Sequence, residues 1–363
     1  MPRCCACCSV LIGLLGVGLR LLSDDVWHFG GLGKLDTLQW NDGSCTLLGA
    51  EMLRGGEDMA LWRDGVVIVA AGDLNTTFWH DPALAEGTGV FAVDLRSAGA
   101  LPAIRRVELL GYPEGTKFVG HGMFLSNSTN RAYFINHGDY STAASYVDIF
   151  AVEGSDFATL RMRHLSRVGS PLFPAAGIND VVEGRSEREI FVSVWRHFPQ
   201  TPETTAFGPK NHQASLLALL GHRYLGAAGQ LGVLRCSAPA GTLSWECGRT
   251  AAWGLVSANG LAVSPDRSML LVSCPECVRV YRYLIDGASG QLSGAGPPIR
   301  LPCMADNVEW DAGTGRVLYG GVPVPLRSHQ EGHEQPGEFV AFPAPTPGSG
   351  DSPAARSLLR HNG

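Results

Sequence analysis

Five polar pairs recur along this chain, each opening a short apolar run: Glu57-Asp58, His121-Gly122, Asn179-Asp180, Asn259-Gly260 and Asp306-Asn307. Together they bring four carboxylates and three amide side chains. Taken singly, an Asp or Asn in such a place caps a turn, and a lone His reads as a turn or structural residue. A set that converges is another matter. Gathered at one place without compensation, these carboxylates would repel one another and pay heavily for lost solvation. A cation resolves the conflict. All-oxygen ligation by carboxylates and Asn carbonyls selects a hard ion, and the number and irregularity of the ligands favour calcium over magnesium.

Residues so far apart can meet only if repeated elements deliver them to one point. Val66–Ala70, Arg131–Ile135, Glu189–Ser193, Met269–Ser273 and Arg316–Tyr319 are strand-like runs, each following a turn of Gly, Asp, Asn or Ser. Ahead of each turn sits another short run: Met59–Trp62, Met123–Leu125, Val181–Val182, Leu261–Val263 and Val308–Trp310. One unit therefore repeats: polar pair, strand, tight turn, strand. Recurring four-stranded sheets of this kind predict an all-β propeller whose inner strands start at one face of a central tunnel. A sandwich also gives many short strands, but not a polar pair at the start of every unit. One stretch breaks the pattern. Ala214–Leu220, followed by Gly221–Leu225, is the best helix candidate and is apolar nearly all round.

With Gly56-Glu57-Asp58, Gly120-His121-Gly122, Ile135-Asn136-His137, Ile178-Asn179-Asp180, Ala258-Asn259-Gly260 and Asp306-Asn307 in this order, the chain resembles the serum paraoxonase/arylesterase family. Those proteins are secreted calcium-dependent lactonases built as six-bladed β-propellers, and the resemblance spans roughly Cys45 to Phe342. It implies two calcium ions in the tunnel. Glu57, Asn179, Asn259, Asp306 and Asn307 would hold a catalytic ion; Asp58, Asp180 and the backbone carbonyl of Met123 would hold a structural one. It implies His121 as the base that deprotonates a water, with His137 orienting it or relaying its proton, on a small ester or lactone substrate. It also implies that the helix near Ala214–Leu225 contacts a lipid or lipoprotein surface; the alternative is a helix packed onto a neighbouring blade. Two departures stand out. Where the family carries a further histidine this chain has Gly320-Gly321-Val322-Pro323, and after Phe342 a Pro/Gly/Ser-rich tail (343–363) replaces the strands that complete the sixth blade. The last blade is therefore expected to be incomplete, and Cys45 to lack the family's terminal cysteine partner.

The N-terminus (1–22) has the basic start and apolar run, Cys4 to Leu19, of a secretory signal. A retained signal-anchor, or palmitoylation of Cys4, Cys5, Cys7 and Cys8, are the alternatives. Secretion would permit disulfides and make Asn75-Thr76-Thr77 and Asn127-Ser128-Thr129 glycosylation acceptors. Cys236 and Cys247 flank a hairpin turn and could pair; Cys274-Pro275-Glu276-Cys277 has zinc-knuckle or redox spacing but no second ligand pair. Across 363 residues, Lys+Arg 28 against Asp+Glu 34 gives a net charge of -6, with no basic block, which argues against nucleic acid as a partner. No Gly-x-Ser-x-Gly elbow or phosphate-binding loop is present. Two functions remain: a calcium-dependent esterase/lactonase, or a calcium-stabilised propeller that binds without turnover.

Overall fold

β-Branched and aromatic runs broken every few residues by Gly, Asp and Asn fold most readily as hairpins stacked into meanders. The first hairpin shows why: Asp64 and Gly65 both take positive φ (41° and 79°), the backbone a tight turn between twisted strands requires. The computed structural model describes residues 48–49, 51–79, 85–96, 101–139, 144–174, 177–195, 232–252, 255, 257–322, 337–345 and 356–361.

Within them the strands form five sheets. The first runs outward in chain order through β1 (Gly56–Arg63), β2 (Val66–Ala71), β3 (Gly89–Asp94) and β4 (Ala103–Arg106). A short helix, α1 (Leu74–Trp79), lies between β2 and β3. The second sheet contains β5 (Glu108–Leu110), β6 (Gly120–Ser126), β7 (Arg131–Asp139), β8 (Ala144–Glu153) and β9 (Arg161–Val168) in the order β5-β9-β8-β7-β6. Here β5 joins the outer edge parallel to β9, whereas the other pairs are antiparallel. The third holds β10 (Ile178–Glu183), β11 (Glu189–Val194), β12 (Val233–Ser237) and β13 (Glu246–Arg249). The fourth holds β14 (Leu261–Val263), β15 (Met269–Cys274), β16 (Arg279–Ile285), β17 (Leu292–Gly294) and β18 (Ile299–Arg300). The fifth holds β19 (Met304–Asp311), β20 (Arg316–Val322), β21 (Gly337–Pro343) and β22 (Arg356–His361).

The inner strands β1, β6, β10, β14 and β19 neighbour one another in that order, so the sheets are the blades of a β-propeller. Apolar side chains fill the seams between blades. Ile68, Ala92, Phe134 and Phe150 belong to the cluster between blades one and two; Tyr133, Ile149, Val181 and Val192 to that between two and three. Phe191, Leu270 and Val272 pack between blades three and four, and Leu271, Val308, Tyr319 and Phe342 between four and five. From blade five back to blade one, no such shared cluster occurs among the described residues. There β1 exposes Met59 and Leu61 at 61% each.

Five blades are seen among the described residues, and the expected sixth is not among them. The tail also differs from expectation. Arg356–His361 pairs antiparallel with β21 and completes blade five, so the propeller does not end at Phe342. An unpaired β21 edge is a strong template for another strand, and Arg356–His361 supplies one. Cys236 and Cys247 face each other in the β12–β13 register and are disulfide-bonded as expected. Cys274 and Cys277 bond to each other. The helix candidate Ala214–Leu225, Cys45 and the N-terminal leader lie outside the described residues. Among the described residues no helix is long and apolar enough to cross a membrane.

Candidate active site in the tunnel

Each inner strand must turn side chains sideways into the tunnel instead of into the seams, and four of the five do so with a bulge. The register of β1 with β2 slips between Gly56 and Asp58, and that of β6 with β7 between Gly120 and Met123. β10 slips against β11 between Ile178 and Val181, and β19 against β20 between Ala305 and Val308. The polar pairs occupy these slips. A bulge places two residues opposite one and re-aims both, which is how adjacent residues of one strand can reach a common centre. The fifth pair, Asn259-Gly260, lies just before β14, where Asn259 N donates to Ser273 O (3.0 Å) and Gly260 N to Ser273 Oγ (2.8 Å). The glycines of two pairs permit close approach of neighbouring strands. A Cβ on Gly122 would meet Asn179 O at 2.5 Å, and one on Gly260 would meet the Asn307 Cα at 2.7 Å.

The pairs then link blade to blade in a closed circuit. Met123 N donates to Asp58 Oδ2 (2.7 Å), joining blades one and two. Asn179 Nδ2 lies 3.2 Å from His121 Nε2, joining two and three. Leu261 N donates to Asp180 Oδ2 (2.6 Å), and Ser273 Oγ to Asp306 O (2.7 Å). Asn307 Nδ2 donates to Glu57 Oε1 (3.1 Å) and closes the ring. Glu57, Asp58, His121, Met123, Asn179, Asp180, Asp306 and Asn307 are linked in this circuit, and Asn259 joins it through its backbone bond to Ser273.

The charges are left uncompensated. Burial, then the charges of Asp58, Asp306 and Asp180, push the Glu57 carboxyl well above its ordinary range. Burial pushes Asp58 up to about 6, although backbone N–H bonds from Met123 and Met59 pull the other way. Asp180 is raised well above the usual value by burial and by Asp58, and Asp306 is raised by burial. Glu309, which the sequence reading missed, is raised to about 7 by burial and by Asp58. Asp306 and Glu309 both retain exposed surface, unlike the buried Asp180.

Four buried oxygens in the ring have no hydrogen-bond partner: Glu57 Oε2, Asn179 Oδ1, Asn259 Oδ1 and Asn307 Oδ1. Native interiors rarely leave acceptors unsatisfied, and all four belong to the set expected around a catalytic cation. Among the described residues no three His, Cys, Asp or Glu side chains converge into a metal-sized cluster by themselves, so the amide oxygens are essential to any such set. Asp58 and Asp180, in contrast, have both carboxylate oxygens bonded to backbone N–H groups.

Behind the ring sits a histidine pair. His121 Nδ1 is 2.9 Å from His137 Nε2, and His137 Nδ1 is 2.9 Å from Ser145 Oγ. His121 Nε2 faces the tunnel, 3.6 Å from Glu57 Oε1, with the edge of Trp195 at 6.2 Å between ring centroids. Burial lowers His121 to about 3, and burial together with His121 lowers His137 well below its usual value. Both imidazoles are therefore neutral at neutral pH, and burial makes each a weaker proton acceptor than a free imidazole. Asn136, on the same strand as His137, is held at all four positions. Its Oδ1 accepts from Val119 N and Gly138 N; its Nδ2 donates to the Tyr112 hydroxyl and to Asp148 Oδ2. That bracing fixes β7, and with it His137. Asn136 belongs to the Ile135-Asn136-His137 motif, but Ser145 and Glu309 carry no motif signal of their own; only the register of β7 with β8 and of β19 with β20 could have pointed to them.

No known family profile and no curated protein sequence matches the chain. Among solved structures it is similar to a luciferin-regenerating enzyme (11% identity, 85% of this chain and 77% of that one, TM-score 0.45). It is also similar to the Pseudomonas aeruginosa periplasmic gluconolactonase PpgL (14% identity, 83% and 69%, TM-score 0.43). A third is the PQQ-bound aldose sugar dehydrogenase of Streptomyces coelicolor (11% identity, 84% and 81%, TM-score 0.45). At TM-scores below 0.5 none of these activities transfers, and the tunnel is read on its own geometry.

Proposed function

We propose that this protein is a calcium-dependent hydrolase of small aryl esters and lactones. The observation that carries the reading is the coincidence of the four orphaned oxygens with a neutral histidine pair at the same end of the tunnel. Glu57, Asn179, Asn259, Asp306 and Asn307 would hold one calcium ion; Asp58, Asp180 and the Met123 carbonyl would hold a second, structural one. A bound calcium supplies Lewis acidity toward a substrate carbonyl and its developing oxyanion.

The chain's own groups do the proton chemistry. His121 accepts a proton from water at Nε2, the nitrogen that faces the tunnel. Its Nδ1 side rests on His137, which can share the gained charge, and Ser145 holds the far nitrogen of His137 so that the pair keeps one alignment. The Asn179 amide nitrogen lies 3.2 Å from His121 Nε2, so its N–H must give up that lone pair when water approaches; the amide oxygen, which has no hydrogen-bond partner, belongs to the ligand set. Trp195 closes one wall beside the base. A secreted location, or membrane association through a retained N-terminal signal-anchor, and lipid contact through Ala214–Leu225 belong to the same proposal and rest on the sequence alone.

Hydrolysis of phenyl acetate and of a γ- or δ-lactone by the purified protein tests it, with calcium present, chelated and restored. Turnover should vanish on chelation and return with calcium. His121→Gln should cost about 10²–10⁴ in rate and leave calcium-dependent melting intact. Calcium binding without any turnover would instead support the second reading, a binding propeller.

A further inference from the structure

Blade four carries a feature that ester hydrolysis does not use. β14 leads away from Asn259-Gly260 at the tunnel, and β15 returns to it, ending at Ser273 and Cys274. There Pro275–Cys277 forms a 3₁₀ turn closed by the Cys274–Cys277 disulfide, and the turn packs against β19, the strand of Asp306 and Asn307. Ser273, fully buried, holds both sides of this corner. It accepts from Gly260 N (2.8 Å), donates to Asp306 O (2.7 Å), and pairs through its backbone with Gly260 O (2.9 Å) and Asn259 N (3.0 Å).

The disulfide differs from Cys236–Cys247, which spans two paired strands. Its sulfurs are three residues apart, so it closes a very small loop and gains little by restricting the unfolded chain. Its sulfurs are unequal: Cys274 is buried, whereas Cys277 is only half-buried and can be approached. Immediately after it, Val278 sits in the left-handed region at φ 52° and ψ 46°. A β-branched residue is strained there and stays only when its surroundings hold it.

We propose that Cys274–Cys277 is a thiol–disulfide exchange site, opened by a small dithiol reductant, whose state reaches the tunnel through Ser273. One thiolate of the reductant attacks Cys277 Sγ, forming a mixed disulfide. The protein S–S bond breaks, and its electron pair leaves with Cys274 Sγ, which takes up a proton. The second thiol of the reductant then attacks the mixed disulfide and releases Cys277 as a thiol, leaving the reductant as its cyclic disulfide. Two electrons and two protons enter the protein. A buried leaving sulfur makes the step slow, which suits a switch and not a turnover site. Once open, the turn lets Val278 leave its strained conformation, Ser273 loses its fixed end, and the clamp on Asn259, Gly260 and Asp306 loosens.

The exchange step stands by itself; its effect on ligand binding rests on the calcium reading above. Full-length oxidised protein is incubated in dithiothreitol redox buffers and alkylated, and peptide masses report the two cysteines. In parallel, amide hydrogen exchange is followed at Asn259, Gly260 and Ser273, with and without calcium. The expected result is reduction of this pair before Cys236–Cys247, with exchange at the three amides at least roughly tenfold faster in the reduced form and calcium affinity lowered. Cys277→Ser should reproduce the reduced state. Val278→Gly, which keeps the left-handed turn without strain, should cut the acceleration. Resistance of the pair to native reduction, or reduction that leaves those amides unchanged, overturns the proposal. Faster amides with no calcium binding in either state would uphold the switch and refute the calcium reading.

Discussion

Glu57 bears the greatest conflict in the tunnel, because it is desolvated and surrounded by Asp58, Asp306 and Asp180. An acid whose pKa is raised on folding holds its proton more tightly folded than unfolded, so stability falls as pH rises between the two values. For the ion-free chain that window runs from the ordinary carboxylate range to about 6 at Asp58 and about 7 at Glu309. Chelated protein should therefore melt several degrees higher at pH 5 than at pH 8, the reverse of the calcium-loaded form. Glu57→Gln removes one of the repelling charges. Its expected signature is a crossing: higher melting temperature than the parent in chelator, lower in saturating calcium. Parallel melting curves in the two conditions would count against Glu57 as a ligand. Which residues meet at the ring could be read from the recurring polar pairs. Ser145, Glu309 and Ser273 could not, because a lone Ser or Glu inside a strand looks the same whether it faces a seam, solvent or a tunnel.

At the scale of the elements, seams between blades are pinned by buried carboxylates as well as by apolar packing. Glu183, at the end of β10, accepts from Ser126 Oγ (2.9 Å), Thr129 Oγ1 (3.0 Å) and the Tyr133 hydroxyl (2.5 Å) of blade two. It also pairs with Arg267 Nη2 of blade four at 2.8 Å. One side chain thus fastens three blades. Removing one partner of such a buried group leaves the others unsatisfied, so Glu183→Ala should cost about 3–5 kcal/mol in urea unfolding without changing the tunnel ligands. Within β8, Asp148 plays a comparable part, held below the usual carboxylate range against its own burial by His164 and Arg167. Its stabilising contribution is present above the ordinary carboxylate range and is lost as pH falls through the lowered value. The ten strand-like runs of the sequence all became strands, since their alternation and turn residues act locally. The bulges did not announce themselves. A slip of one residue depends on what the partner strand offers, and no local pattern encodes it.

Across the whole molecule, the seams are unequal. Four are filled with apolar clusters, whereas blades five and one are joined in the described residues by Asn307 on Glu57, beside exposed Met59 and Leu61. Loss of a shared ion should open this seam first. Chelation is expected to speed amide exchange in β1 and β19 before β6 and β10, and to raise proteolysis there; uniform protection across all inner strands would contradict this. The repeats announced the propeller, and the five polar pairs fall one to each of the five blades seen among the described residues. The outer strands were less legible: Arg356–His361 joined blade five from within a Pro/Gly-rich stretch.

Recruitment of an outer strand also governs blade two, where Glu108–Leu110 lies parallel to Arg161–Met162–Arg163. The strand that finishes this blade is made before any of the strands it finishes. As the chain leaves the ribosome, β5 emerges early and must wait, its backbone groups unpaired, until β9 has followed β6, β7 and β8. Closing so long a loop is slow, because its entropy must be spent before the pairing is gained. Blade two therefore sets a pause in the order of assembly. Through that pause the edge of β5 is open to pairing with another nascent chain.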